Sequence, residues 1–120
     1  MRMKVNIADK LALFSAHWSP KLVAQVNDTE VKLVKVQGEF VWHHHDTADE
    51  LFLVLKGRLL MQFRDGEEWI EEGEFIVVPR GVEHRPVAPQ EVHVMLIEPR
   101  DTLNTGNVIE ERTVQVVPKI

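Results

Sequence analysis

The stretch Trp42-His43-His44-His45-Asp46-Thr47-Ala48-Asp49-Glu50 decides the fold and holds three histidines and a carboxylate beyond a turn. In an extended strand successive side chains point to opposite faces, so we expect His43 and His45 to project together and His44 to point away. Neutral imidazole is the commonest metal ligand among side chains. The stretch therefore indicates either a metal site or a polar turn with solvated histidines.

A second segment, Pro79-Arg80-Gly81-Val82-Glu83-His84, supplies a fourth candidate ligand far along the chain. Gly81 permits a tight turn after a strand that ends at Pro79. Two imidazoles on one strand, a carboxylate on its neighbour and an imidazole from a distant strand can converge on one ion. The two segments together favour the metal site over the solvated turn.

The spacing of the two segments reads His43-x-His45-x4-Glu50-x6-Gly57 and Gly73-x5-Pro79-x-Gly81-x2-His84. Both resemble the two signature motifs of the cupin superfamily, and they lie within residues 38–88. The resemblance implies a small single-domain cupin over residues 1–120. Its expected fold is an all-β antiparallel jelly-roll barrel, or double-stranded β-helix, with a short N-terminal helical or irregular arm. It also implies the metal ligands His43, His45, Glu50 and His84.

Composition sets further limits on the partners of this chain. It has 120 residues, a net charge of −5 and no cysteine. The sequence shows no cluster of basic residues that would bind nucleic acid. It offers no thiolate ligand and no disulfide, and it has no apolar run long enough to span a membrane. Charges near the N-terminus argue against a signal peptide. We therefore expect a cytoplasmic protein that binds neither nucleic acid nor a membrane.

The rest of the sequence is rich in short β-type segments separated by turn residues, which is typical of an antiparallel sandwich or barrel. A helical turn is expected within residues 6–16, and Gly38 is expected to mark a bulge. The predicted strands are 21–26, 30–36, 40–45, 50–55, 58–64, 67–70, 74–78 and 91–98, with a further one at 112–117. Turns are expected at residues 27–29, 65–66, 72–73 and 104–107.

Two faces of the strand at residues 50–55 are apolar. Phe52 and Val54 share the face of Glu50, whereas the other face carries Leu51, Leu53 and Leu55. A strand with one wet face would alternate apolar and polar residues, so this second face must be covered. We expect a homodimer that covers part of it; coverage by the first hairpin or by the tail is the alternative.

A site of three nitrogens and one oxygen suits one divalent transition metal: Mn, Fe, Co, Ni, Cu or Zn. Three function classes are consistent with it. The first is a metal-dependent enzyme, an isomerase or an oxygenase, acting on a small oxygen-rich molecule. The second is a non-catalytic module that binds or senses a small-molecule ligand, and the third is a structural barrel with a vestigial site. Four residues, Phe52, Met61, Phe63 and Met95, are expected either to line an apolar pocket or to fill the core.

Overall fold

The computed structural model describes residues 2–120, which form seven strands and one short helix. Asn6 caps the helix by accepting a hydrogen bond from the Asp9 amide. The elements in chain order are α1 (Ile7–Leu11), β1 (Lys21–Val26), β2 (Thr29–Glu39), β3 (Glu50–Lys56), β4 (Leu59–Phe63), β5 (Gly66–Ile70), β6 (Phe75–Val78) and β7 (His84–Pro99).

The long strand β7 organises the sheet. Its first residues pair with β4, and its later residues pair with both β2 and β3. All these pairings are antiparallel, and they give the strand order β1-β2-β7-β3-β6, with β5 joined to β4. The predicted bulge is confirmed, because the register between β2 and β7 shifts between Val36 and Gly38. The architecture is the expected antiparallel jelly roll.

Alternate side chains along the strands point inward and form one apolar core. Val34 and Val36 of β2 and Val54 of β3 are buried, and they pack with the inward residues of β7. Leu59 and Met61 of β4 face this core, whereas Arg58 lies outside. Val→Ala truncations here would each cost on the order of 1–3 kcal/mol, since close-packed interiors collapse only partly around the two lost methyl groups.

Two predicted strands are wrong. Residues 40–45 are not a strand, because β2 ends at Glu39 and the chain then leaves the sheet. An isolated β-bridge still pairs His43 with His84. Residues 112–117 are not a strand either. Hydrogen bonds to Leu22 come only from the last residues, through the Pro118 carbonyl and the Ile120 amide. Pro118 has no amide hydrogen with which to extend a ladder.

Candidate metal centre

The four predicted ligands come from three separate places in the fold. Glu50 is the first residue of β3 and lies opposite Val78, at the end of β6. His84 is the first residue of β7, and His43 and His45 lie in the loop between β2 and β3. One ligand atom from each of the four residues lies within 4.8 Å of the others, and all four side chains are buried. The chain therefore brings together the group that its spacing predicts.

Backbone hydrogen bonds fix the loop that carries the two histidines. The amide of His43 donates to the carbonyl of His84 at 3.0 Å, and the amide of His84 donates to the carbonyl of His43 at 2.9 Å. The amide of Gly81 donates to the carbonyl of His45 at 2.8 Å. Gly81 has φ +80°, a conformation that favours glycine. These bonds hold the loop at the end of the barrel without a regular strand.

Two of the imidazoles have their outer nitrogen engaged by the backbone. Nδ1 of His43 lies 2.9 Å from the carbonyl oxygen of Val41, and Nδ1 of His84 lies 2.9 Å from that of Val82. A carbonyl can only accept, so each Nδ1 donates its hydrogen and each Nε2 is the nitrogen left to face the cluster. Partners of this kind orient histidines that ligate metals.

The inward atoms of the cluster lack protein partners. Within residues 2–120, His45 Nε2, His84 Nε2 and Glu50 Oε1 are buried without a hydrogen bond. His45 Nε2 lies 3.2 Å from Glu50 Oε1, but the two are not aligned as donor and acceptor. Buried polar atoms are rarely left unpaired, because each costs about 1–3 kcal/mol. Three such atoms turned toward one another fit a divalent cation.

The protonation states also fit a cation. Burial, followed by repulsion from His84, lowers the pKa of His43 to about 4, so its ring is neutral near pH 7. Burial opposes ionisation of Glu50, but its contacts with Glu98, His45 and His84 outweigh burial and hold its pKa well below the usual value. Neutral imidazole and ionised carboxylate are the forms that ligate metals.

A buried lysine and a buried glutamate, Lys32 and Glu98, contact each other next to Glu50. Burial and then the charge of Glu50 raise the pKa of Glu98 well above its usual range. Nζ of Lys32 donates to Glu98 Oε1 at 2.8 Å and lies 3.5 Å from a carboxylate oxygen of Glu30. Lys32 and Glu98 are each only 2% exposed. The sequence shows no sign of this pair, since both residues occupy positions that read as surface charges on strands.

The C-terminal tail presses against the histidine loop. The amide of His44 donates to Oδ1 of Asn107 at 2.9 Å, and the amide of Asn107 donates to the carbonyl of His44 at 3.1 Å. Gly106 lies so close that a Cβ added to it would meet the His44 carbonyl oxygen at 2.2 Å and His43 Cδ2 at 3.1 Å. The tail thus packs against the segment between His43 and His45. The sequence does not predict this contact.

A cavity adjoins the cluster inside the barrel. The cavity has a volume of about 40 Å³, which is enough for roughly three water molecules. Of the four residues expected to line a pocket, only Phe52 does so. Met61 is fully buried in the core and Phe63 packs against it, whereas Met95 is on the outer face of β7. The cavity is lined by Trp18, Pro20, Val34, Val36, Phe40, His43, Glu50, Phe52, Leu59, Pro86, Val94, Leu96 and Asn104.

A match to a family model accounts for these features. The model described as "Cupin domain" matches residues 30–98, which is more than half of the chain. The chain is a cupin. This assignment covers both motif segments and all four residues of the cluster. Among residues 2–120, no helix is long and apolar enough to cross a membrane.

The relatives of this cupin include an uncharacterized protein, named dioxygenases and a cupin of solved structure. The uncharacterized protein YdbB of Bacillus subtilis is 42% identical over 71% of this chain and 74% of its own length. The 3-hydroxyanthranilate 3,4-dioxygenase of Jannaschia sp. is 32% identical over 75% of this chain, and the match spans only about half of that enzyme (53%). A cupin-2 domain protein of Shewanella frigidimarina has a solved structure with 51% identity and a TM-score of 0.79. That match covers 80% of this chain and 94% of the other.

Proposed function

We propose that this cupin binds one divalent transition metal through His43, His45, Glu50 and His84. The three buried atoms of the cluster that lack a hydrogen-bond partner among residues 2–120 are the observation that carries the proposal. A donor set of three imidazoles and one carboxylate, without thiolate, suits Mn, Fe, Co, Ni, Cu or Zn. A metal held by these four side chains would still be able to bind a further ligand.

We further propose that the protein is a metal-dependent enzyme, of isomerase or oxygenase type, acting on a small oxygen-rich molecule. A bound metal would supply Lewis-acid chemistry or bind oxygen. Residues of this chain would orient the ligand, since Phe52 and the aromatic pair Trp18 and Phe40 wall the cavity beside the cluster. The dioxygenases among the relatives support the oxygenase type.

A non-catalytic binding or sensor role is the second candidate, and one observation favours it. Besides His43 and Glu50, the only polar groups on the side chains around the cavity are the amide of Asn104 and the indole N–H of Trp18, which donates to the carbonyl of Gln37. A general acid or base must reach the reacting group within hydrogen-bond distance. The described residues around the cavity provide none beyond the proposed ligands, so any turnover would depend on the metal.

The metal proposal is tested on untagged protein purified without a nickel column. Elemental analysis is expected to find about one transition metal per chain in the wild type and in His44→Ala, and little in His84→Ala. His44 is the matched control because it lies in the same loop but its ring contacts Asp46 instead of the cluster. Equal metal content in all three proteins would refute the proposal.

Turnover with diketones, phenols, sugars and carboxylates, with and without oxygen, then separates an enzyme from a binding module.

We also propose that the protein forms a homodimer through the outer face of the sheet at β3 and β6. Phe75 and Val77 of β6 are 62% and 48% exposed, and they lie beside Leu53 and Leu51 of β3. Strand β6 pairs only with β3 among residues 2–120, so its other edge is open. An open apolar edge favours self-association.

The dimer is tested by analytical ultracentrifugation. Phe75→Glu is expected to convert a dimer to a monomer, because it would bury a charge in the interface. Val116→Glu, at an 84% exposed position of the tail, is the control and should leave the dimer intact. A monomeric wild type at micromolar concentration would contradict the proposal.

A further inference from the structure

A cleft on the outside of the barrel reaches one of the proposed metal ligands. This outer cleft has a volume of about 380 Å³ and lies between the histidine loop and the beginning of the tail, residues 99–107. His45, which is the most exposed of the four ligands at 7%, is part of its lining. The inner cavity of about 40 Å³ is bordered by His43 and Glu50. Of the two spaces, only the outer cleft has the size of pockets that take small organic molecules.

One stretch of the tail borders both spaces. Asn104 lines the inner cavity, whereas Leu103, Gly106 and Asn107 line the outer cleft. The Nε2 atom of His45 is buried, so the cleft meets the ring of this histidine without opening onto the cluster. A molecule in the cleft therefore reaches the metal ligands only if this stretch moves.

The tail loop, which we define as residues 103–114, is held together by its own hydrogen bonds. The side chain of Asn104 donates to the carbonyl of Arg112 and accepts from the amide of Val114, both at 2.9 Å. The hydroxyl groups of Thr105 and Thr113 share a hydrogen bond of 2.7 Å. Because these bonds cross the loop from one side to the other, the tail loop is able to move as one body.

The attachment of the tail loop to the barrel is weaker than its internal bonding. Within residues 2–120 three hydrogen bonds make this attachment, two between Asn107 and His44 and one from Arg112 to the carbonyl of Glu39. Water replaces such bonds when a loop lifts, so each contributes only modestly to the docked form. The chain after the loop is exposed, Val116 by 84%, and is free to follow the movement.

We propose that the tail loop is a gate between the outer cleft and the metal cluster, and that an ion or a ligand enters and leaves when the loop lifts. This inference rests on the proposed function, because it concerns access to the ion that the four ligands would hold. Lifting a weakly attached loop costs much less than unfolding the sheet. With the loop docked the four ligand side chains are at most 7% exposed, so exchange at the cluster follows the opening of the gate.

The gate is tested by the rates of zinc uptake and zinc release, followed with a chromophoric chelator. Asn107→Ala removes the hydrogen bond that Oδ1 of Asn107 accepts from the amide of His44. Both rates are expected to rise about fivefold, because the docked form loses one hydrogen bond. The zinc affinity, which is the ratio of the two rates, should change by less than about twofold. A purely structural role of Asn107 would instead raise the release rate alone and weaken the affinity.

Two further variants complete this test. Asn6→Ala is the matched control, because the side chain of Asn6 accepts the same kind of bond from the amide of Asp9, at 3.0 Å in α1, and it should leave both rates unchanged. Arg112→Met removes the bond to the carbonyl of Glu39 and should accelerate exchange as Asn107→Ala does. Unchanged uptake rates in both gate variants, or a weaker affinity without faster uptake, would overturn the proposal.

A measurement on metal-free protein separates failure of the gate from failure of the proposed function. Diethyl pyrocarbonate modifies neutral imidazole, and mass spectrometry reports each histidine separately. We expect His45 to react about fivefold faster in Asn107→Ala than in the wild type, whereas His17, with a side chain 35% exposed, should react at the same rate in both. If the protein takes up no zinc, the metal proposal fails and the reaction of His45 alone decides on the gate. If zinc binds and neither exchange nor modification responds, only the gate is wrong.

Discussion

Gly106→Ala tests whether the tail positions the histidine loop. A methyl group at residue 106 would lie 2.2 Å from the carbonyl oxygen of His44 and 3.1 Å from Cδ2 of His43. The nearest obstacle is backbone, which cannot rotate away as a long side chain would. The loop or the tail must therefore shift, and because the ring of His43 belongs to the metal cluster, the shift reaches the proposed ligands.

The expected cost has two parts. An alanine at φ +57° pays about 1 kcal/mol for left-handed backbone, and overpacking adds about 1–3 kcal/mol. Gly73→Ala is the matched control, because Gly73 has φ +79° and a Cβ added there would meet no atom within 4 Å, so only the backbone part applies. Urea unfolding of metal-free protein should show a loss of about 2–4 kcal/mol for the first variant and about 1 kcal/mol for the second.

Metal affinity gives the second measurement for this pair. Gly106→Ala is expected to weaken zinc binding at least tenfold, which corresponds to about 1.4 kcal/mol, whereas Gly73→Ala should leave it unchanged. Equal stability losses together with equal zinc affinities in the two variants would refute the positioning role of the tail.

Two further predictions concern buried charge. Burial and His84 lower the pKa of His43 from 6.5 to about 4, so between these values the unfolded chain binds a proton that the native chain does not. The metal-free protein should lose up to about 3 kcal/mol of stability as pH falls from above 6.5 to 4. His43→Gln should lose less between about pH 7.5 and 5 in urea unfolding, and an equal loss would contradict the assignment. Lys32→Met should cost about 1–3 kcal/mol because it removes the buried hydrogen bond that Lys32 donates to Glu98, whereas Lys56→Met, at an exposed position, should cost almost nothing. Similar urea midpoints for these two variants would argue against the buried pair.

The sequence predicts the cluster because each of the two motifs carries its candidate ligands at short, recognisable spacings. The alternation at His43 and His45 survives even though the segment is not a strand, since one pair of backbone hydrogen bonds to His84 holds it extended. Glu50 and His84 are the first residues of β3 and β7, and turn residues such as Gly81 indicate that the chain reverses direction just before such a strand. The resemblance of the two spacings to the cupin motifs therefore conveys which side chains meet, but not the hydrogen bonds that orient them.

The cavity wall and the tail are harder to predict because they depend on contacts between distant segments. Trp18 lies in an irregular segment before β1, and Asn104 lies in a tail without regular strands. Neither segment has an apolar period that indicates its inner face. The position of Trp42 beside His43 likewise predicts packing in the core or an interface, but its ring lies beneath the guanidinium of Arg64, 3.8 Å from the ring centroid.

Metal content is the most direct test of the four-residue centre, measured on protein whose proposed ligands are replaced one at a time by alanine, beside His44→Ala. We predict about one transition metal per chain for the wild type and the control, and a loss of bound metal in each of His43→Ala, His45→Ala, Glu50→Ala and His84→Ala. Full metal occupancy in folded samples of these four variants would contradict a metal centre built from these side chains.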